Sequence, residues 1–444
     1  RREEEREPSL FLIQVHQRKR EVDLERILFQ RLYSTINWGS FNYHYFGFVP
    51  IIIKNMIKRS AETTLQDLAS QFPVVVIIGP RQSGKTTLAK MVFPEKQFVS
   101  FDDLQMRSLA SSNPRDFLNA FPDGLIIDEA QKVPAIFDTI KLLVDSGKYT
   151  PGKYILTGSS QLKLRENTSE SLAGRAAYLR LLPFSISELK DANLRLNDPY
   201  SVIFNGQYPP LYDREKKFKR DMWYENYIDT YLEMDVREHI TASNLSTFRK
   251  FIQICATYNG KILSMDSIAR DIGVSAPTIK SWLSVLESSF IIHLLEPDTD
   301  NLGKTLIKSP KLYFIDSGLL CYLLRLETKE ELLLSTRKGA VVESFAISEL
   351  LKARYNKGRR ADLNYFRDRK GFEIDIIANW KHTFAIEIKS ESSTEKKLSN
   401  NARKYISLRG DDNTSGYVFY LGDYSMEIEG VKYLNMSDWD NIDK

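Results

Sequence analysis

Apolar residues along this chain fall into two kinds of pattern. Short runs, Pro73-Val74-Val75-Val76-Ile77-Ile78, Gln97-Phe98-Val99-Ser100-Phe101, Gly124-Leu125-Ile126-Ile127 and Tyr154-Ile155-Leu156, predict strands, the first of them buried. Leu65, Leu68 and Phe72 form an amphipathic segment leading into the first run, and Ile136, Phe137, Ile140, Leu143 and Val144, before the fourth, recur at the spacing of a helix packed on a sheet. This alternation predicts an α/β domain with a parallel sheet up to about residue 195.

The pattern then changes. Residues 221–238 read as an aromatic-rich helix, with Trp223, Tyr224 and Tyr231 as core rings. Residues 262–289 read as helix-turn-helix: Ile262, Leu263, Ile268 and Ala269 pack the first helix, and Gly273-Val274-Ser275 makes the turn. Ser275 caps the second helix, whose apolar face is Ile279, Trp282, Leu283 and Leu286. Runs at 290–295 and 312–315 predict two strands bracketing a wing with Lys304, Lys308 and Lys311. If this segment touches DNA, Lys280 and the wing lysines meet phosphate. Further on, Phe372–Ala378 and Phe384–Lys389 alternate apolar and polar as half-buried strands do, and Trp380-Lys381-His382 joins them as a hairpin. Residues 396–408 and 416–421 predict a later helix and strand.

The first apolar run ends in Gly79-Pro80-Arg81-Gln82-Ser83-Gly84-Lys85-Thr86-Thr87, the spacing G-x-x-x-x-G-K-[ST]. The glycines let the backbone curl so that successive N–H groups face phosphate. Lys85 reaches the β/γ-phosphates, the Thr86 hydroxyl ligates Mg²⁺, and the following helix aims its positive end at the same anion. This predicts ATP or GTP as ligand, with Mg²⁺. The third run ends in Asp128-Glu129: Asp128 is predicted to hold the Mg²⁺ shell and Glu129 to orient or deprotonate the attacking water. The fourth ends in Thr157-Gly158-Ser159-Ser160, where Thr157, or alternatively Ser159, is placed to sense the γ-phosphate. Arg175, after a short helix, is a candidate arginine finger acting on a neighbouring copy, which predicts a homo-oligomer.

A second constellation lies in the C-terminal region. Hairpin pairing symmetric about Lys381 sets Asp375 opposite Glu387, with Lys389 on the same face, a patch able to bind Mg²⁺ or Mn²⁺ beside a phosphate. Glu343 shares a helix face with Ile347 and Leu350, so its carboxylate points inward.

Composition narrows the class only modestly. The 444 residues suffice for two to four domains, and 42% hydrophobic with 27% charged residues is ordinary for a soluble globular chain. A net charge of +4 permits nucleic-acid binding without demanding it. Cys255 and Cys321 are too few for a disulfide framework or zinc cluster, and no eighteen-residue apolar run or signal peptide is evident, so a cytoplasmic protein without membrane partners is expected. The charge run at Arg1–Glu7 and the aromatic stretch at 41–48 differ in character from the rest of the chain, and Met56 is expected to be the true start, with residues 1–55 an extension.

Taken in order, Met56-Ile57-Lys58-Arg59, the Gly79–Thr87 loop, Leu125–Gln131, Leu156–Ser160 and Ser171–Arg175 resemble the prokaryotic AAA-type (AAA+) P-loop ATPases that carry a C-terminal domain of unknown function. The resemblance runs from residue 56 to about 440. It implies an ATPase domain at 56–195, a helical and winged-helix segment at 196–328 and a nuclease-like domain at 329–444. Asn205-Gly206-Gln207 departs from the family's Gly-Gly before Tyr208-Pro209. The set Glu343, Asp375, Glu387 and Lys389 resembles the PD-(D/E)xK nuclease fold with its αβββαβ order. Two functions are open on this reading: an ATPase coupled to a nucleic-acid nuclease, or an ATP-dependent switch or DNA-binding regulator whose C-terminal domain only binds. A small-molecule kinase is disfavoured by the Asp-Glu pair and by the lack of a lid-like arginine cluster.

Overall fold

A computed structural model describes residues 56–147, 150–158, 171–194, 198–213, 215–231, 236, 245–298 and 308–442. The first sheet holds β1 (Val74–Ile78), β2 (Gln97–Ser100), β3 (Leu125–Asp128), β4 (Tyr154–Gly158) and β5 (Ala176–Arg180), all parallel, in the order β2-β3-β4-β1-β5. Helices α1 (Glu62–Gln71), α2 (Lys85–Val92) and α3 (Ala135–Asp145) cover it. Alternate strand residues enter two separate cores. Val74, Val76, Ile78, Leu125, Ile127 and Leu156 join Ile136, Phe137 and Ile140, while Val75, Ile77, Ile126 and Ile155 join Leu65 and Leu88. Burial on both faces is why the runs of β1, β3 and β4 carry no polar alternation, whereas edge strand β2 exposes Gln97.

After β5 comes α4 (Ile186–Asp191), whose Ser185 and Glu188 form a reciprocal capping box. Helix α5 (Arg220–Tyr231) buries Trp223, Tyr224, Tyr227 and Tyr231, and Tyr208 packs its ring 5.1 Å from Trp223 and 4.9 Å from Tyr227. The expected extension of this helix to 238 falls largely outside the described residues. Helices α6 (Leu245–Thr257), α7 (Met265–Ile272) and α8 (Ala276–Ser288) come next, with Phe248, Phe251 and Trp282 in mutual ring contact. The turn is as expected: Gly273 is left-handed at φ 81°, and the Ser275 hydroxyl accepts from the Thr278 N–H at 3.3 Å.

The strands after α8 are β6 (Ile292–Pro297) and β7 (Lys311–Phe314), an antiparallel pair. They do not stand apart as a wing. Strand β6 pairs in parallel with β8 (Leu363–Arg367), so the hairpin extends the C-terminal sheet. That sheet continues through β9 (Glu373–Asn379), β10 (Thr383–Ile388), β11 (Thr414–Phe419), β12 (Met426–Ile428) and β13 (Val431–Leu434), in the order β12-β13-β11-β10-β9-β8-β6-β7. Helix α9 (Lys338–Tyr355) precedes β8, and α10 (Asn400–Arg409) lies between β10 and β11, so α9 to β11 runs αβββαβ. Asn259 joins the helix-turn-helix to α9: its amide donates to Ala340 O at 2.8 Å, and its Oδ1 accepts from Phe314 N at 2.9 Å and Ser344 Oγ at 2.7 Å. One sheet and one buried asparagine thus span the expected boundary at 328/329.

Candidate functional sites

Parallel strands place their carboxyl ends along one edge, where ligands of open α/β sheets bind. The loop Gly79–Gly84 leaves β1 at that edge. Two of its residues are left-handed, Gln82 at φ 60° and Gly84 at φ 91°, which curls the backbone. Gly79 has no room for a side chain, since a Cβ would stand 2.1 Å from Leu181 O. The Lys85 ammonium lies inside the curl, donating to Gly79 O at 3.0 Å and Pro80 O at 2.8 Å.

The strand order explains how the remaining groups converge. β4 lies between β1 and β3, with Thr157 opposite Ile77 and Leu156 opposite Ile127, so the Thr157 hydroxyl emerges between the loop and Asp128. Asp128 Oδ1 accepts from Thr86 Oγ1 at 2.9 Å and also from Thr157 Oγ1. The expected Mg²⁺ pair, Thr86 and Asp128, is therefore already in contact, with Thr157 beside it. Glu129 is held left-handed at φ 54°, an uncommon conformation for a side chain of this kind, and Gln131 Nε2 donates to its Oε2. The donor set, one hydroxyl and one carboxylate beside a cradle of N–H groups, fits Mg²⁺ carried in by a nucleotide.

Arg175 lies at the other edge. It precedes β5, whose Ala176 is opposite Val74, so the length of β1 separates it from the loop, roughly 16 Å at 3.3 Å per residue. It grips Asp145 at 2.5 and 2.9 Å and donates to Ala173 O at 2.9 Å. Its own nucleotide is out of reach. Ser159, the alternative sensor, lies outside the described residues.

In the second sheet, Ile386 pairs with Ile376 and Thr383 with Asn379, the register symmetric about Lys381. One step further sets Glu387 beside Asp375, and Ile388 N donates to Asp375 Oδ2 at 2.8 Å. Lys389 Nζ meets Glu387 Oε2 at 2.8 Å. Glu387 is 3% exposed, and its Oε1 is buried without a hydrogen-bond partner. Glu343 projects from α9, its Oε2 accepting from the Tyr313 hydroxyl at 3.0 Å. Burial, followed by the charge of Asp375, pushes the Glu343 carboxyl up to about 7 and Glu387 up to about 8. Burial also raises Asp375 against the pull of Lys389. Burial works to lower Lys389, but Glu387 and Asp375 outweigh it and hold the ammonium above its ordinary value.

One expectation fails here. Lys311 is not a wing residue exposed to phosphate: it is 3% exposed, and its ammonium pairs with Glu373 on the carboxylate side of the sheet. Positions 311 and 313 share one face of β7, and all four residues of this edge strand are buried. Glu373 also holds Arg367 at 3.0 Å. Lys311, Tyr313 and Glu373 are thus neighbours of the site that sequence reading missed. The available signal was period two: Lys311 and Tyr313 share a face, as do Glu373 and Asp375. Of the expected basic contacts, Lys280 and Lys308 are exposed, and Lys304 lies outside the described residues.

Residues 71–190, which hold the first sheet and its phosphate loop, match a family model described as an AAA domain, and this match supports an AAA-type ATPase domain. Residues 197–330 and 338–439 match two models described as domains of unknown function, DUF8612 and DUF4143. An uncharacterized protein of Mycobacterium tuberculosis and one of Mycobacterium bovis are each 29% identical over 340 residues, covering 76% of this chain and 74% of the relative. Among solved structures, a Walker-type ATPase of Pyrococcus abyssi is 14% identical at a TM-score of 0.42, covering 61% of this chain and 97% of that one. AMPPCP-bound DnaA from Aquifex aeolicus is 17% identical at a TM-score of 0.26, covering 51% and 85%. Among the described residues, no helix is long and apolar enough to cross a membrane.

Proposed function

We propose that this chain is an ATP-hydrolysing enzyme whose nucleotide site governs a nucleic-acid-directed, metal-dependent nuclease of the PD-(D/E)xK kind. The observation that carries the nuclease part is the αβββαβ unit, which brings Asp375, Glu387 and Lys389 to one patch with Glu343 on the preceding helix. Glu387 Oε1, buried and unpartnered beside a second carboxylate, is an oxygen that a hard cation would satisfy. Asp375 and Glu387 would hold Mg²⁺ or Mn²⁺, which when bound supplies an activated water and polarises a phosphate. Lys389, kept cationic by its two carboxylate neighbours, faces the phosphate charge that develops. Glu343, with its raised affinity for a proton, is placed to take or return one.

In the ATPase domain, Gly79 to Thr87 cradle the phosphates of ATP, Lys85 neutralises them, Thr86 and Asp128 complete the Mg²⁺ shell, and Thr157 reads the γ-phosphate through Asp128. Glu129 activates water. Arg175, at the far edge, serves a neighbouring copy. Lys280 and Lys308 contact the backbone of a nucleic acid, DNA being the partner we favour.

A second reading has its own support. Among the described residues, no three His, Cys, Asp or Glu side chains are grouped to hold a metal ion. A non-nucleolytic ATP-dependent switch or DNA-binding regulator would keep the carboxylate patch as scaffold.

Wild type, Lys389→Ala and Lys85→Ala, tested on single- and double-stranded DNA and on RNA with Mg²⁺ or Mn²⁺, with and without ATP, separate the two. Cleavage lost in Lys389→Ala is expected for the nuclease. Intact ATP hydrolysis with no cleavage of any substrate would leave the switch.

A further inference from the structure

Arg59 stands outside the nucleotide loop, yet it is 5% exposed and uses its guanidinium in three directions. Nη1 donates to Ser83 O at 2.7 Å, Nη2 to Leu182 O at 2.7 Å and Nε to Glu188 Oε1 at 3.0 Å. The Phe184 ring lies 5.0 Å from its Cζ. Glu188 is 1% exposed and is itself fixed, accepting from Ser60 N at 2.7 Å and Ser185 N at 2.9 Å. The adjoining Ile186 N donates to Glu349 Oε2 of α9 at 2.8 Å.

The bond to Ser83 O has a geometric consequence. A trans peptide is planar, with its C=O and N–H pointing in opposite directions. Pulling the Ser83 carbonyl outward therefore turns the Gly84 N–H inward, toward the position of the phosphates. Gly84 accommodates this at φ 91°, and the same arginine ties the loop to the 181–182 segment that abuts Gly79.

We propose that Arg59 is a positioning residue for nucleotide binding, which sets the aim of the loop's N–H groups from behind by fixing the Ser83–Gly84 peptide. Glu188 holds the guanidinium flat for this task. The inference goes beyond the loop motif, whose residues all lie between 79 and 87. A lysine supplies the charge but lacks the rigid fork that reaches Ser83, Leu182 and Glu188 at once.

The test uses the full chain. Binding of fluorescent ADP and ATP analogues, steady-state ATPase kinetics and thermal melting are measured for wild type, Arg59→Lys, Arg59→Gln and Glu188→Gln. We expect Arg59→Lys to melt as one folded species and to lose affinity for ADP and ATP alike by ~10-fold or more, as suits misdirected charge-assisted donors. KM rises by a similar factor, since the phosphates shared by both nucleotides are the ones affected. Glu188→Gln, which keeps the helix cap, weakens binding less than either Arg59 variant. A folded Arg59→Lys that binds both nucleotides within about twofold of wild type, less than a single lost hydrogen bond is worth, would overturn the proposal. So would failure of all three variants to fold, since Arg59 would then be a structural ion pair alone.

Discussion

Replacing Glu349 tests whether the ATPase domain and the C-terminal helix are welded by polar groups that cannot be separated one at a time. Glu349 is fully buried and accepts three bonds: from Ile186 N at 2.8 Å, Gln207 Nε2 at 2.8 Å and Lys352 Nζ at 2.9 Å. Lys352, 1% exposed, also donates to Gln207 Oε1. Burial raises the Glu349 carboxyl above its ordinary value even though Lys352 and the other donors oppose it. For the carboxylate, lost hydration therefore outweighs what its donors return. Glu349→Leu strands a buried ammonium, at ~3–5 kcal/mol, and orphans a backbone and a side-chain amide at ~1–3 kcal/mol each. Lys352→Met removes one of the three donors to the carboxylate, leaving its two amides, and also orphans Gln207 Oε1, for about 2–4 kcal/mol.

The double variant Glu349→Leu/Lys352→Met has no buried charge left, only the two orphaned N–H groups and the Gln207 Oε1 that Lys352 served, for about 3–9 kcal/mol at ~1–3 each. The expected order is therefore unusual: the double variant is more stable than Glu349→Leu alone. Urea unfolding followed by tryptophan fluorescence and circular dichroism in parallel reads all four proteins. Additive losses, with the double within about 0.5 kcal/mol of the sum, would refute the reasoning, because coupled sites must depart from additivity. Coincidence of the two probes checks that one transition is being measured.

Other outcomes follow from the same geometry. Glu129→Gln should bind ATP normally yet hydrolyse it ~10²–10⁴-fold more slowly, measured by phosphate release; unchanged turnover would remove Glu129 from water activation. Mixing Arg175→Ala with Lys85→Ala should restore part of the ATPase rate if the arginine acts across copies, and full activity in a strictly monomeric protein would dispose of that role. Glu343 and Glu387 bind protons more tightly folded than their ordinary 4.5, up to about 7 and about 8. Their contribution to stability is thus whole below 4.5 and declines as pH rises to 8. Millimolar Mn²⁺ should raise the melting temperature more near pH 8 than near pH 5, and an equal rise at both would count against a cation among these carboxylates. His293 has the opposite sign: burial lowers it to about 4 and its Nε2 is unpartnered, so its cost appears as pH falls from 6.5 toward 4. His293→Phe should flatten the acid limb of the stability curve; an unchanged limb would mean that another group controls it.

How much of this was legible beforehand depends on the range of the interactions concerned. The apolar runs of β1, β3 and β4 announced themselves because burial on both faces leaves no polar position, and the loop because its chemistry is contiguous. Hairpin register was readable for a similar reason: three residues, Trp380-Lys381-His382, set the pairing and hence the meeting of Asp375 with Glu387. What could not be read is what closes over long separations. Lys311 reads as one more basic residue in a lysine-bearing loop until β6 pairs with β8, and only then does its strand face the carboxylates. Gly206 is similar. In sequence it is half of a motif that this chain lacks, yet a Cβ there would stand 2.0 Å from the Tyr224 hydroxyl and 2.5 Å from Asp316 Oδ1. Its φ of 77° lets Gln207 N donate to Asp316 at 2.8 Å while the Gln207 side chain reaches Glu349 and Lys352. A second glycine at 207 would supply the turn but none of these side-chain bonds. The departure from the family pattern is therefore where this chain builds the buried polar join between its two sheets. Arg59 makes the same point at the nucleotide site, since its motif precedes the loop by twenty residues and acquires meaning only when Ser83, Leu182 and Glu188 gather around it.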